Sequence, residues 1–198
     1  MATNARKITT VTPDPTALKA LAHPMRLRML GLLRIDGPAT ASGLAERLGL
    51  NSGATSYHLR QLAQHGFIEE DETRGNARDR WWRARHEMTN YLAKDAQGHA
   101  LDVGLAFAQA ALNWQITQMQ AALAHYPDLA PEWRSASTAS DYTIALTAEQ
   151  AEALVKKIQA LLQEAGASAP PIGADLPEGT RPFSIILHAA PYVGEDTP

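Results

Sequence analysis

The chain has 198 residues, 45% of them apolar and 20% charged, with no cysteine and a formal net charge of −3. This is ordinary globular composition, enough for one core or two small ones, and it excludes disulfides, thiolate metal ligands and thiol redox sensing. No run of about 18 apolar residues is present, so no membrane span is expected. Residues 1–12 are polar, lack the apolar centre of a secretion signal and are expected to be loosely attached, which fits a cytoplasmic protein.

Pro13-Asp14-Pro15 sets up a first helix, with Asp14 as N-cap and Pro15 at its first position. His23-Pro24 interrupts that helix, because the residue before a proline disfavours the α region, and Pro24 opens a second helix reaching Arg34. After the turn at residues 35–38, Thr40 or Ser42 caps a third helix that Gly49 ends, with Leu44, Ala45 and Leu48 inward. Asn51 or Ser52 caps a fourth, stopped by Gly66, whose inward stripe is Thr55, Leu59, Leu62 and Ala63. At 1.5 Å per residue this fourth helix is roughly 20 Å long, enough to cross a DNA major groove.

Residues 67–71 read as a strand, residues 73–77 as a turn in which Gly75 and Asn76 accept positive φ, and residues 78–84 as the returning strand. Either Trp81 or Trp82 faces inward. A long helix is expected over residues 95–126, with Leu101, Leu105, Ala108, Leu112, Gln115 or Ile116, Met119 and Leu123 on one face, ended by Pro127 and Pro131. Beyond a flexible stretch at residues 135–140, residues 142–146 alternate like a strand. Thr147 and Gln150 form a capping box for a helix that Gly166 ends, and residues 183–188 read as a second, largely buried strand. The expected architecture is therefore mainly α with a small β component: a winged helix-turn-helix over residues 13–90, then a long dimerisation helix and a small β-α-β portion over residues 91–198.

Charge follows that division. Residues 1–100 hold 14 Lys/Arg against 10 Asp/Glu, a net of +4, while residues 101–198 hold 4 against 11, a net of −7. A basic front half beside an acidic back half suits a DNA-facing module joined to a sensing or dimerising one.

The segment from Leu18 to Arg85 resembles the ArsR-type winged helix-turn-helix transcriptional regulators. The resemblance rests on Leu21-Ala22-His23-Pro24-Met25-Arg26, on Leu44-Ala45-Glu46-Arg47-Leu48-Gly49, on Tyr57-His58-Leu59-Arg60-Gln61-Leu62 and on Gly66-Phe67-Ile68. It covers about a third of the chain; the part from Leu146 onward looks like the C-terminal extension of a larger subgroup. It implies a homodimer that binds an imperfect palindrome on double-stranded DNA and represses, often with release by a metal or small ligand. The third helix has Leu44-Ala45-Glu46-Arg47-Leu48 where the family carries its cysteine metal motif, which excludes thiolate sensing there.

The fourth helix is the expected recognition helix. Ser52, Gly53, Ser56, Tyr57, His58 and Arg60 are its candidate DNA-contacting residues, with Tyr57 able to serve as a core-edge aromatic instead and His58 able to pack against the wing. Arg74 and Arg78 flank the wing turn and suit phosphate or minor-groove contact; Arg80 is a weaker candidate, with Glu70, Asp71, Glu72 and Asp79 as alternative cross-strand partners. His86, His99 and His125 with Glu87 and Asp102 form no firm ligand set, and no metal or other cofactor is assigned. His188 is read as a satisfied buried histidine. Phe107, Trp114, Tyr126 and Trp133 either pack a core or line a pocket for an unknown small-molecule effector. No nucleophile–base set or phosphate loop is recognisable, so no catalytic residue and no enzymatic activity are assigned. A ligand- or metal-responsive sensor and a winged helix used for protein contact are the alternatives.

Overall fold

The computed structural model describes residues 6–74, 79–91, 96–171, 173 and 176–194. Its helical framework follows the capping chemistry. Asp14 accepts from the Ala17 N–H at 2.8 Å and starts α1 (Pro15–Leu21). His23 Nδ1 accepts from Met25 N–H at 3.2 Å ahead of α2 (Pro24–Ile35). Thr40 accepts from Gly43 N–H at 3.1 Å and starts α3 (Ala41–Leu48), which ends on Gly49 at φ 64°. Asn51 accepts from Ala54 N–H at 2.7 Å and starts α4 (Ser52–Gln64). Each cap satisfies a backbone donor that the first helical turn leaves open, typically worth about 1 kcal/mol.

Five short strands complete this part: β1 (Thr10–Val11), β2 (Ala39–Thr40), β3 (Ile68–Glu70), β4 (Trp81–Ala84) and β5 (Met88–Thr89). β4 is the centre of an antiparallel sheet ordered β2-β4-β3, with Trp82 opposite both Ala39 and Glu70. Trp82, not Trp81, faces inward. Buried Asp71 closes the wing hairpin, accepting from Thr73 Oγ1 at 2.6 Å, and its backbone N–H donates to Trp81 O at 2.9 Å. The remaining turn residues, Gly75 to Ala77, and Arg78 lie outside the described residues. Leu21, Met29, Leu44, Leu59, Leu62 and Phe67 are almost wholly buried and form one core with Val103 and Phe107.

Residues 6–12 correct an expectation. Rather than lying loose, β1 pairs in parallel with β5, and Arg6 bonds Glu87 at 2.6 Å. Arg6 also reaches the end of the last long helix, its backbone N–H donating to Ala167 O at 3.1 Å and its Nε to Ala169 O at 3.0 Å. The turn after α2 needs glycine: Gly37 sits at φ 84°, and any Cβ there would collide with the backbone of Gly173.

The long helix α5 (His99–His125) meets the core through a face that the sequence did not single out. Val103, Phe107 and Ala111, four residues apart, are buried, and Phe107 meets Tyr91 edge-on with ring centroids 4.7 Å apart. Leu101, Leu105, Leu112, Ile116, Met119 and Leu123 are exposed. A 3-10 turn at Tyr126–Asp128, the short helix α6 (Pro131–Ala136) and α7 (Ala148–Ser168) follow. The Thr147–Gln150 capping box is present, at 3.2 and 2.9 Å.

Of the expected β-α-β portion only the helix forms. Residues 142–146 and 183–188 carry neither strand nor helix, and Tyr142, Ile144, Phe183 and Ile185 are each at least half exposed. Alternation makes a segment compatible with a sheet, but a strand exists only where another edge supplies its hydrogen bonds. The small β component of this mainly α protein thus belongs to the winged part. No helix of the described residues is long and apolar enough to cross a membrane.

Candidate nucleic-acid interface

Helix α4 turns Thr55, Leu59 and Leu62 into the core at spacings of four and three. That phase leaves Ser52, Gly53, Tyr57 and Arg60 exposed, with Ser56 and His58 half-buried. Arg60 is steadied by its Nε donating to Ser56 O at 3.2 Å. Between α3, α4 and β4 lies an open groove of about 420 Å³. Thr40, Ser42, Ser52 and Ser56 bring four hydroxyls to it, and Arg60 and Arg80 bring two cations, over a floor formed by Trp82. Asp79 also reaches this groove.

Hydroxyls accept or donate and are small enough to approach a phosphate or a base edge closely; guanidinium groups make charge-assisted bonds to phosphate or guanine. Arg80 is held by Glu70 at 3.1 Å, with its guanidinium 5.6 Å from the Trp82 ring. Both members of that pair are exposed, so the pair is worth little and can be exchanged for a phosphate. Arg74 sits 3.7 Å from Asp71 and 6.0 Å from the Trp81 ring, on the outer part of the wing. Arg78 lies outside the described residues.

Three features escaped the sequence reading. Thr40 and Ser42 were legible only as caps, yet both line the groove, Oγ to Oγ at 3.0 Å. Arg80, the weaker wing candidate by sequence, lines the groove, whereas Arg74 does not. His58 faces away from it: its ring lies 4.7 Å from His23 and 5.5 Å from Tyr57. The His-Pro signal of the interhelical turn and the Tyr-His pair of α4 were visible, but not that they meet.

His58 Nδ1 is buried without a hydrogen-bond partner. Burial, then His23 and Arg26, hold the His58 pKa below its ordinary value; burial and Arg26 do the same for His23. Burial, then Arg85 and Arg34, lower His86. In all three the folded state binds protons less readily than the unfolded chain, so folding stability rises with pH over the interval between the two pKa values. Stability is therefore fully present above about pH 6.5 and falls as pH drops below it toward the folded pKa values. Thermal unfolding between pH 8 and 5 is expected to show that decline, and His58→Gln to shallow it; a profile identical to wild type contradicts the assignment to His58.

The sequence candidates outside the winged part are not brought together. Among the described residues no three His, Asp or Glu side chains are placed to hold a metal. His188 is exposed rather than buried, with Nε2 2.8 Å from Gln115 Oε1. Trp133 stacks on Phe183 at 6.4 Å, Phe107 packs on Tyr91, and Trp114 lies against Gly31, so among the described residues these three aromatics each pack on a different neighbour.

Residues 21–71 match a family described as a helix-turn-helix domain. With the β-hairpin behind it, this defines the front part of the chain as a winged helix-turn-helix. The chain is 42% identical over 53 residues to the HTH-type transcriptional regulator YgaV of Escherichia coli, covering 26% of this chain and 52% of that protein. It is 41% identical over 56 residues to the HTH-type transcriptional regulator NmtR of Mycobacterium tuberculosis, covering 28% and 46%. The match thus spans about half the length of these curated relatives. A solution structure of a homodimeric winged helix-turn-helix DNA-binding domain from Mycobacterium bovis, described as a possible ArsR-family regulator, shares 25% identity. It covers 50% of this chain and 77% of that one at a TM-score of 0.34. Over this segment the chain is similar to HTH-type transcriptional regulators.

Proposed function

We propose that this protein is a homodimeric transcriptional regulator that binds a palindromic operator and represses by occupying it. The observation that carries the reading is the groove between α4 and the wing, where four hydroxyls and the guanidinium groups of Arg60 and Arg80 converge on one exposed surface. Ser52, Gly53, Ser56, Tyr57 and Arg60 are the residues proposed to meet DNA from α4, Arg74, Arg78 and Arg80 those from the wing. His58 is proposed to support α4 from behind.

A second copy is the partner proposed for α5. Its exposed apolar stripe is continuous, from Leu105 through Leu112, Ile116 and Met119 to Leu123. A row of large apolar side chains exposed along one helix face marks an interaction face. A two-fold axis along α5 sets two recognition helices to read half-sites one DNA turn apart, roughly 34 Å.

The test is binding to genomic fragments, including the DNA upstream of the protein's own gene, at two salt concentrations. Arg60→Ala is expected to weaken selective binding about tenfold, with a salt slope smaller by about one. Unselective binding, or no change on removing Arg60, overturns the assignment.

A further inference from the structure

The last turn of α2 borders a second cavity, of about 400 Å³, lined also by Arg83 and Ala84 of β4. This size suits a small molecule. Much of its wall is apolar: Leu33, Ile35, Pro38 and Ala84. Into it projects Arg34, an arginine held in an unusual setting. Its Nε donates to His86 O at 2.8 Å and its Nη2 to Thr89 Oγ1 at 2.8 Å, both neutral acceptors. Among the described residues no carboxylate lies within ion-pair distance of it.

The other charges at the cavity are already matched. Arg83 is paired with Glu69 at 2.8 Å, and Glu87 with Arg6 at 2.6 Å. Next to Arg34, His86 Nδ1 is buried and has no hydrogen-bond partner. Burial lowers the Arg34 pKa to about 10, which leaves it cationic at neutral pH. A buried cation is costly unless an anion faces it, and a guanidinium with unused N–H groups matches a carboxylate in a two-bond fork.

We infer that this cavity binds a small organic monocarboxylate, with the carboxylate on Arg34 and His86 Nδ1–H and an apolar body along Leu33, Ile35, Pro38 and Ala84. The single unmatched cation and the Glu87 carboxylate at the wall disfavour a dianion such as phosphate. Arg83 and Ala84 belong to β4, the strand that carries Trp82, so an occupant touches the wing's central strand. The inference concerns binding alone and stands whether or not the groove binds DNA.

The full chain is titrated calorimetrically at pH 7 with benzoate and hexanoate, with the uncharged benzamide and hexanamide, and with inorganic phosphate. Saturable binding of at least one carboxylate, at least tenfold tighter than its amide and than phosphate, is expected. Arg34→Met is expected to abolish it. Because Arg34 also ties α2 to β5, Ala84→Leu, which fills the cavity and keeps the cation, is the second variant, and its circular dichroism is compared with wild type. No carboxylate binding up to about 10 mM, equal binding of acid and amide, preference for phosphate, or binding unchanged in folded Ala84→Leu each overturns the inference.

Discussion

Ile116→Asp is expected to leave the winged helix-turn-helix folded and the chain monomeric. α5 has two apolar faces, and they do different jobs. Val103, Phe107 and Ala111 are buried against α1 and α2, and Ile116 is not among them: its side chain stands 44% exposed between Leu112 and Met119. An aspartate there disturbs no contact of the core. In the proposed dimer it sets two carboxylates near the two-fold axis and takes two apolar side chains from the seam. Unpaired charge in an apolar interface costs several kcal/mol, more than a helix–helix seam of this length readily absorbs. Reading a palindrome with two tethered modules strengthens binding by about 10² to 10⁴ over one module, and that gain is lost in a monomer. Sedimentation gives the mass and an operator titration the affinity. A dimer that persists at low micromolar concentration, with wild-type affinity, refutes α5 as the seam.

Trp82→Ala is expected to cost about 3–5 kcal/mol, the usual range for deleting a buried tryptophan. The position explains the size. β4 is the only strand that touches both neighbours of its sheet, and Trp82, 7% exposed, is the residue paired with Ala39 on one side and Glu70 on the other. Its ring also floors the groove beside Ser56 and Arg60. Small domains have only about 5–15 kcal/mol of net stability. A loss of this size lowers the melting midpoint by about 6–20 °C. DNA affinity should fall with it, since the wing and α4 lose their common support. Trp81→Ala is the control: that side chain is only half-buried, on the outer face beside Arg74, and its loss is expected to cost about 1 kcal/mol or less. Melting by circular dichroism distinguishes them, and equal midpoints for the two variants contradict the role given to Trp82.

The winged part was legible because its signals are local. Asp14, Thr40 and Asn51 cap their helices through side chains reaching three residues along the chain, as the Thr147–Gln150 pair does for α7, and Gly49 ends α3 through its own backbone conformation. The phase of α4 was readable from Thr55, Leu59 and Leu62 because a 3.6-residue period admits one inward face when only one apolar stripe exists. Those same spacings identified the outward residues Ser52, Tyr57 and Arg60.

Where two answers satisfied the same local rule, tertiary contact chose. α5 carries apolar residues on more than one face, so periodicity could not say that Val103, Phe107 and Ala111 would meet the core while Leu112 and Ile116 would not. Residues 142–146 and 183–188 alternate as strands do, but a strand also needs a neighbour's hydrogen bonds, which sequence alternation cannot supply. His58 meeting His23, Arg34 burying its charge beside His86, and Arg6 binding Glu87 join residues 35, 52 and 81 positions apart. The chain's own residues thus determined the helices, their caps and the exposed face of α4, since these depend on neighbours three or four positions away. Which apolar face is covered, which strands pair and which charged groups meet were decided only by the tertiary structure, because each depends on what the fold brings alongside.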